Sequence, residues 1–200
     1  AILYHPVLSM LNTKYIVINE NIPPLVNHFA LGNAWFVGEI IPANNANEEI
    51  AKLQTIDPAH QAVVSQEFLN AIQLAKTAGD LSGNTATDST ASIKLTSYAP
   101  NKLEYSYNST STQTALFSEV YYSPGWKATI DGQDAPIFRA NWILRGLQLP
   151  AGKHNIVFTF EPESFSKGET YSRIASGVLM ILLLGGLVVL FIKKRKKDGK

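Results

Sequence analysis

The most constraining feature of this sequence is an uninterrupted apolar run near its C-terminus. Ile174–Ile192 is nineteen residues long and contains no charged residue and no proline. At the helical rise of 1.5 Å per residue, this run would span roughly 28 Å, close to the thickness of the hydrocarbon core of a bilayer. A helix buried in a soluble protein would keep a polar stripe, which this run lacks. We therefore predict a transmembrane helix over residues 174–192.

The charges that follow this run predict its orientation. Five consecutive cations occupy Lys193–Lys197, and cationic residues that flank a span stay in the cytoplasm. We expect a basic cytoplasmic tail at 193–200, in contact with membrane lipid, and an extracytoplasmic location for residues 1–173. The chain carries +1 and the tail +5, which leaves −4 for residues 1–192 and argues against a nucleic-acid partner.

The start of the chain does not resemble a secretion signal. Residues 1–17 lack a charged first region and a small-residue cleavage site. We expect upstream transmembrane helices of the same protein to deliver these residues across the membrane, and a tail-anchored chain is the alternative. The sequence contains no cysteine, which excludes disulfides, thiolate metal sites and thiol nucleophiles.

The residues before the span divide into segments of different pattern. Residues 1–78 mix apolar runs at 14–19, 34–41 (closed by Pro42) and 62–65 with helical spacing at 47–54 and 66–76, which predicts an α+β segment. Residues 79–92 are small and polar, which predicts a loop or linker. Residues 167–173 form a juxtamembrane segment that returns the chain to the membrane.

Residues 93–166 alternate apolar and polar side chains in short runs, with turn pairs such as Asp131-Gly132 between them. Period-2 patterning in many short runs predicts an antiparallel β-sandwich, jelly-roll-like, in a mainly β chain. We predict strands at 92–98, 102–108, 114–122, 126–130, 135–140, 143–149 and 153–161.

A series of motifs in this region resembles a known family. The series comprises Tyr121–Trp126 (Tyr-Tyr-x-Pro-Gly-Trp), the Asp131-Gly132 turn, Asn141 with Arg145, and Leu149–His154. Together they are similar to the extracytoplasmic C-terminal domain of the bacterial YfhO family of multi-spanning membrane proteins. The similarity extends over most of residues 8–192, where Leu11–Tyr15 matches with Thr13 in place of the usual Val, and Gly32-Asn33 replaces a Pro-Arg pair.

This resemblance implies a location and an activity for the whole protein. It implies a bacterial cytoplasmic membrane and a glycosyltransferase that takes its sugar from a polyprenyl phosphate and acts on cell-envelope glycans or polymers. Lipid-linked sugar or envelope glycan would then be partners of this domain. The catalytic acids of such enzymes lie in loops outside this chain, so we expect an accessory domain. The alternative is a single-span surface protein whose sandwich binds carbohydrate or another protein.

Few residues suggest a site. No catalytic, cofactor-binding or metal-binding residue is assigned, because the four histidines lack ligand spacing and Gly-x-Ser-x-Gly and phosphate-binding loops are missing from the sequence. Trp126 is interpreted either as a core residue or as a platform on which a sugar stacks. Asn141, Trp142 and Arg145 are the other candidate glycan contacts, and packed strand positions explain them equally well.

Overall fold

The structure is a computed structural model that describes residues 5–73 and 88–198. It divides into two compact units, Ala1–Phe160 and Glu161–Lys200. Of the predicted polar loop at 79–92, residues 79–87 lie outside the described residues. The elements in chain order are α1 (Pro6–Met10), β1 (Tyr15–Ile16), β2 (Leu25–Val26), β3 (Ala34–Val37), β4 (Glu39–Ala43), α2 (Ala46–Leu53), β5 (Gln61–Ser65), α3 (Gln66–Gln73), β6 (Ser92–Ala99), β7 (Lys102–Ser109), β8 (Gln113–Val120), β9 (Trp126–Ile130), β10 (Gln133–Ala135), β11 (Phe138–Ala140), β12 (Leu144–Leu149), β13 (Gly152–Phe160) and α4 (Glu163–Asp198).

The predicted antiparallel β-sandwich is confirmed. One sheet has the strand order β10-β9-β13-β7-β6, and the other has the order β11-β12-β8-β3. All neighbours in both sheets are antiparallel. The chain passes from one sheet to the other after β7, β8, β10 and β12. Each sheet therefore contains strands from several separate parts of the sequence.

The alternating pattern of β7 shows why these residues form a sandwich. Leu103, Tyr105 and Tyr107 are buried, while the residues between them lie nearer the solvent. In the space between the sheets, the Tyr105 ring meets Phe117 of β8 edge-on with centroids 4.9 Å apart, and Phe117 meets Phe158 of β13 at 4.9 Å. Each such edge-to-face pair contributes roughly 0.5–1.5 kcal/mol beyond the area that it buries.

The second sheet is buried on both of its faces. All six residues of β12 are buried, including the polar Arg145 and Gln148. One face packs against the first sheet, and the other packs against residues of the N-terminal segment, among them Met10, Val64 and Ile72. The N-terminal segment also supplies the edge strand of this sheet, because β3 pairs with β8.

Two predicted strands are each divided in the structure. The run at 34–41 forms β3 and β4, and Pro42 lies inside β4 and does not close the strand. Among the described residues, β4 pairs with β5 alone, in parallel. Its other edge is unpaired among these residues, and a proline there removes no hydrogen bond of the ladder. The run at 135–140 is broken at Pro136: Ala135 ends β10, residues 138–140 form β11, and these two strands belong to different sheets.

The C-terminal unit is a single helix, α4, which begins well before the predicted span. The stretch 163–173 is helical and polar, with ion pairs one turn apart between Lys167 and Glu163 and between Arg173 and Glu169. Such pairs stabilise an exposed helix modestly. Residues Glu163–Val189 include a stretch apolar enough to cross a membrane, with a mean hydropathy of 2.1.

Candidate functional site

The Tyr121–Trp126 motif borders a cleft at one end of the sandwich. It joins β8 to β9, and the cleft has a volume of about 530 Å³. We call this the aromatic cleft. Its walls include three aromatic side chains and several polar ones, and its lining includes Tyr121, Tyr122, Trp126, Asp134, Ile137 and Arg145.

Arg145 is the buried cation of the aromatic cleft. Its residue is 3% exposed, and its guanidinium carbon lies 3.9 Å from the centroid of the Trp126 ring and 5.6 Å from that of Phe158. The Nε–H donates to the Val120 carbonyl at 2.9 Å, while the buried Nη1 has no hydrogen-bond partner in the part of the chain that the structure describes. Burial lowers the pKa of Arg145, but an arginine remains charged at any physiological pH.

The Glu119 carboxylate interacts electrostatically with this guanidinium. Burial raises the pKa of Glu119, and the Arg145 charge opposes that rise. Among the described residues, Arg145 forms no ion pair, and its guanidinium contacts two aromatic rings and the Val120 carbonyl. A cation held in this way retains hydrogen-bonding capacity for a ligand.

Trp126 is packed between two neighbours. It is half-buried, Arg145 covers one face of the indole, and the ring centroid of Phe160 lies 5.3 Å away. The face that Arg145 covers is closed to a stacking sugar. Tyr122 is 53% exposed and therefore offers more open aromatic surface in the cleft than Trp126 does.

Asn141 and Trp142 lie outside the aromatic cleft. They form the connection between β11 and β12, with φ angles of 49° and 68° in the left-handed region. Asn141 is fully buried: its N–H donates to the Val63 carbonyl at 2.8 Å, and its Oδ1 accepts from the Val63 N–H at 2.8 Å. This residue therefore joins the second sheet to β5.

Trp142 borders a second, apolar groove of about 590 Å³ on the N-terminal segment. Its neighbours there include Leu11 and Ile50. The candidate glycan contacts named from the sequence thus separate into two places: Trp126 and Arg145 lie in the aromatic cleft, and Asn141 and Trp142 lie beside this groove.

A buried carboxylate that sequence reasoning missed supports the Asn141–Trp142 turn. Glu49 of α2 is fully buried, accepts from the Trp142 N–H at 2.6 Å, and lies 3.2 Å from Nη2 of Arg139. Burial raises the pKa of Glu49, while the hydrogen bond from Trp142 and the Arg139 charge oppose the rise. In the sequence, Glu49 is recognisable only as an acid in the first turn of a helix. Nothing in the sequence indicates that it accepts a hydrogen bond from Trp142, 93 positions later.

The predicted Asp131-Gly132 turn is confirmed, and it carries a second polar pair. Both residues have positive φ, 50° and 83°, as the tight hairpin between β9 and β10 requires. His154 Nδ1 lies 2.6 Å from Asp131 Oδ2. The hydrogen bond to Asp131 raises the pKa of His154, and the Asn155 N–H together with His154 lowers the pKa of Asp131.

The described residues contain no group of three or more His, Asp or Glu side chains placed to hold a metal ion. What the structure offers instead is an aromatic cleft with one buried cation, on a sandwich whose chain continues into an apolar helix. A folded β-domain followed by a helix of membrane-spanning length defines a membrane protein with a domain outside the lipid.

The family model described as "Bacterial membrane protein YfhO" matches residues 61–172, more than half of the chain. The chain therefore belongs to the YfhO family of bacterial membrane proteins. The match includes the Tyr121–Trp126 motif, the Asp131-Gly132 turn and Arg145, on which the resemblance was based. No curated protein and no solved structure matches the chain.

Proposed function

We propose that residues 1–173 are the extracytoplasmic accessory domain of a polytopic glycosyltransferase of the bacterial cytoplasmic membrane. The donor is a polyprenyl-phosphate sugar, and catalysis takes place in parts of the protein outside this chain. The aromatic cleft contacts the cell-envelope glycan or polymer that receives the sugar. The arrangement of the cleft is the observation on which this proposal depends most.

The chemistry of the aromatic cleft suits a sugar ring. Ligand sites combine apolar and aromatic walls with a few well-placed polar groups, and their volumes fall around 300–1,000 Å³. The cleft, with a volume of about 530 Å³, offers Tyr122 as an aromatic wall and Asp134 and Arg145 as polar groups. A sugar presents C–H groups to aromatic faces and hydroxyls to charged side chains, so both kinds of group are used.

The charge distribution around the span supports the proposed orientation. The cations Lys193–Lys197 come directly after the apolar run, and such residues are retained in the cytoplasm. The β-sandwich precedes the span in sequence, and we place it on the opposite side, where envelope glycans are assembled.

Binding to the cleft is tested with the full chain in detergent and fragments of envelope glycan. We expect intrinsic tryptophan fluorescence to change on titration, because Trp126 borders the cleft. Tyr122→Ala should weaken binding about tenfold or more, corresponding to one lost stacking contact of roughly 1.4 kcal/mol. Tyr15→Ala is the matched control, since Tyr15 is also exposed but lies on β1, outside the cleft lining. Equal effects of both substitutions would refute a glycan site in this cleft.

The orientation is tested by thiol labelling in intact cells. The chain has no cysteine, so Asn101→Cys and Gly199→Cys each introduce a single thiol. A membrane-impermeant maleimide should label the first variant, whose site is an exposed turn, and spare the second, which is in the basic tail. The opposite labelling would place the sandwich in the cytoplasm.

The accessory role is tested by an activity assay. We expect the chain alone to transfer no sugar from a lipid-linked donor to acceptor glycan. Transfer above the level of a sample without protein would show that the chain itself carries catalytic groups.

A further inference from the structure

The segment 11–30 exposes an unusual number of large apolar side chains. Within it, only Asn27 is buried. Exposure reaches 65% at Tyr15 and 69% at Val17. We call residues 15–29 the apolar hairpin. Its exposed apolar side chains are Tyr15, Val17, Ile18, Ile22, Val26 and Phe29. Scattered exposed apolar residues are normal on a protein surface, but a contiguous group of them marks an interaction site.

The apolar hairpin has a defined conformation. β1 and β2 pair so that Tyr15 lies opposite Val26, and Ile16 lies opposite Leu25. At its base, the Asn27 N–H donates to the Lys14 carbonyl at 2.8 Å, and the Asn27 side-chain amide donates to the Thr13 carbonyl at 2.9 Å. The hairpin is therefore held to the domain by a buried amide.

The two faces of the hairpin differ in exposure. Ile16 and Leu25 share one face and are half-buried, whereas Tyr15 and Val26 share the other face and are exposed. Val17 follows β1 directly and is 69% exposed. The exposed face is thus apolar, and no other described part of the chain covers it.

We propose that the exposed face of the apolar hairpin rests on the lipid surface of the membrane in which this protein is anchored. This inference depends on the membrane anchor and is independent of the glycan site. A tyrosine beside aliphatic residues is the composition found where proteins meet the interface between headgroups and acyl chains.

The charges of residues 11–30 are compatible with contact with a lipid surface. Lys14 and Glu20 balance within residues 11–30, so no net charge has to be desolvated or repelled. The tip of the hairpin, Asn19–Asn21, is polar and exposed, which favours contact through the flat face over insertion of the tip. Asn and Glu side chains can then remain among headgroups and water.

A lipid surface also suits the side chains better than a protein partner does. Protein interfaces concentrate their binding energy in Trp, Tyr and Arg residues, and Val is under-represented among them. The hairpin offers mainly Ile and Val, which make non-directional contacts. In addition, only the thirteen residues 161–173 separate the last strand from the apolar run, so the bilayer that the run spans is at high effective concentration near the domain.

The test uses the full chain in liposomes of phosphatidylethanolamine and phosphatidylglycerol. Val17→Cys gives a single thiol that is labelled with an environment-sensitive nitrobenzoxadiazole dye, and Asn108→Cys, on an exposed position of β7, is the matched control. We expect blue-shifted emission at position 17 only. Lipids that carry a nitroxide near the headgroup should quench it several-fold more strongly than the control.

Each other outcome overturns the proposal. Blue-shifted emission that nitroxide lipids do not quench would mean that the hairpin is buried against protein. Emission equal to that of the control would mean that the hairpin faces water. Since Val17 is largely exposed, labelling there should leave the fold intact, which unchanged urea unfolding of the labelled chain would verify.

Discussion

The contact between Phe138 and Gly146 yields the sharpest test of the sandwich. The two residues lie directly opposite each other on β11 and β12. A Cβ atom added at Gly146 would lie 2.2 Å from Cε2 of Phe138 and 2.3 Å from its Cζ. The aromatic ring thus fills the space that a side chain at position 146 would need.

The cost of Gly146→Ala follows from that overlap. Non-bonded carbon atoms settle at about 3.5–4.0 Å, so the ring would have to move by more than about 1 Å. Phe138 is fully buried in the cluster that contains Trp35, Leu116 and Leu144, and a close-packed core resists such a shift. Overpacking of this kind costs about 1–3 kcal/mol, and we expect Gly146→Ala to lie near the upper end.

The assay is urea unfolding of the full chain in detergent, followed by tryptophan fluorescence. Phe138→Leu alone should also destabilise, because it leaves a cavity. In the double variant the added methyl has room, so the two losses should sum to less than additive by about 1 kcal/mol or more. Additive losses, or a loss below about 0.5 kcal/mol for Gly146→Ala, would refute the packing that we describe.

Three further substitutions test the polar and aromatic contacts. Glu49→Ala should cost about 2–3 kcal/mol in urea unfolding, because it leaves the Trp142 N–H unpaired and removes the partner of a partly exposed arginine; a loss under about 0.5 kcal/mol would contradict this. Trp126→Ala should cost about 2–3 kcal/mol through the lost cation–π contact and aromatic packing, and Trp126→Phe should cost less; equal losses would contradict the role of the indole face. His154→Gln should lower the Tm more at about pH 5.5 than at about pH 9. The pKa of His154 is raised by Asp131, so its contribution is complete below the unfolded value of about 6.5 and is lost as pH rises through the folded value. A Tm difference that does not change with pH would contradict this coupling.

Local patterns in the sequence predicted much of the architecture. The alternation of Leu103, Tyr105 and Tyr107, the Asp131-Gly132 turn and the apolar run before Lys193 each depend on neighbours in the chain. Such features can be predicted from the sequence because strand pleating, turn geometry and helix length are properties of short segments. The same reasoning identified Trp126 and Arg145, which the structure brings into contact.

Other parts of the site required the tertiary structure. Asn141 and Trp142 stand four and three positions before Arg145 in sequence, yet they lie away from the aromatic cleft because the chain reverses between β11 and β12. Asp134 is part of the cleft lining, but in the sequence it is an ordinary acid after a turn. The alternation of apolar and polar residues along each strand does not show which side chains meet between the two sheets.

The sequence by itself determined the period of each strand, the tight turns and the helix that suits a bilayer, since these arise from contacts between near neighbours. Only the tertiary structure decided that β3 completes the second sheet, that Glu49 accepts from the Trp142 N–H, and that Val63 pairs with Asn141. Those contacts join residues up to 93 positions apart. They form because a buried polar group must find a partner and an apolar sheet face must be covered, and these requirements can be met only once the whole chain has folded.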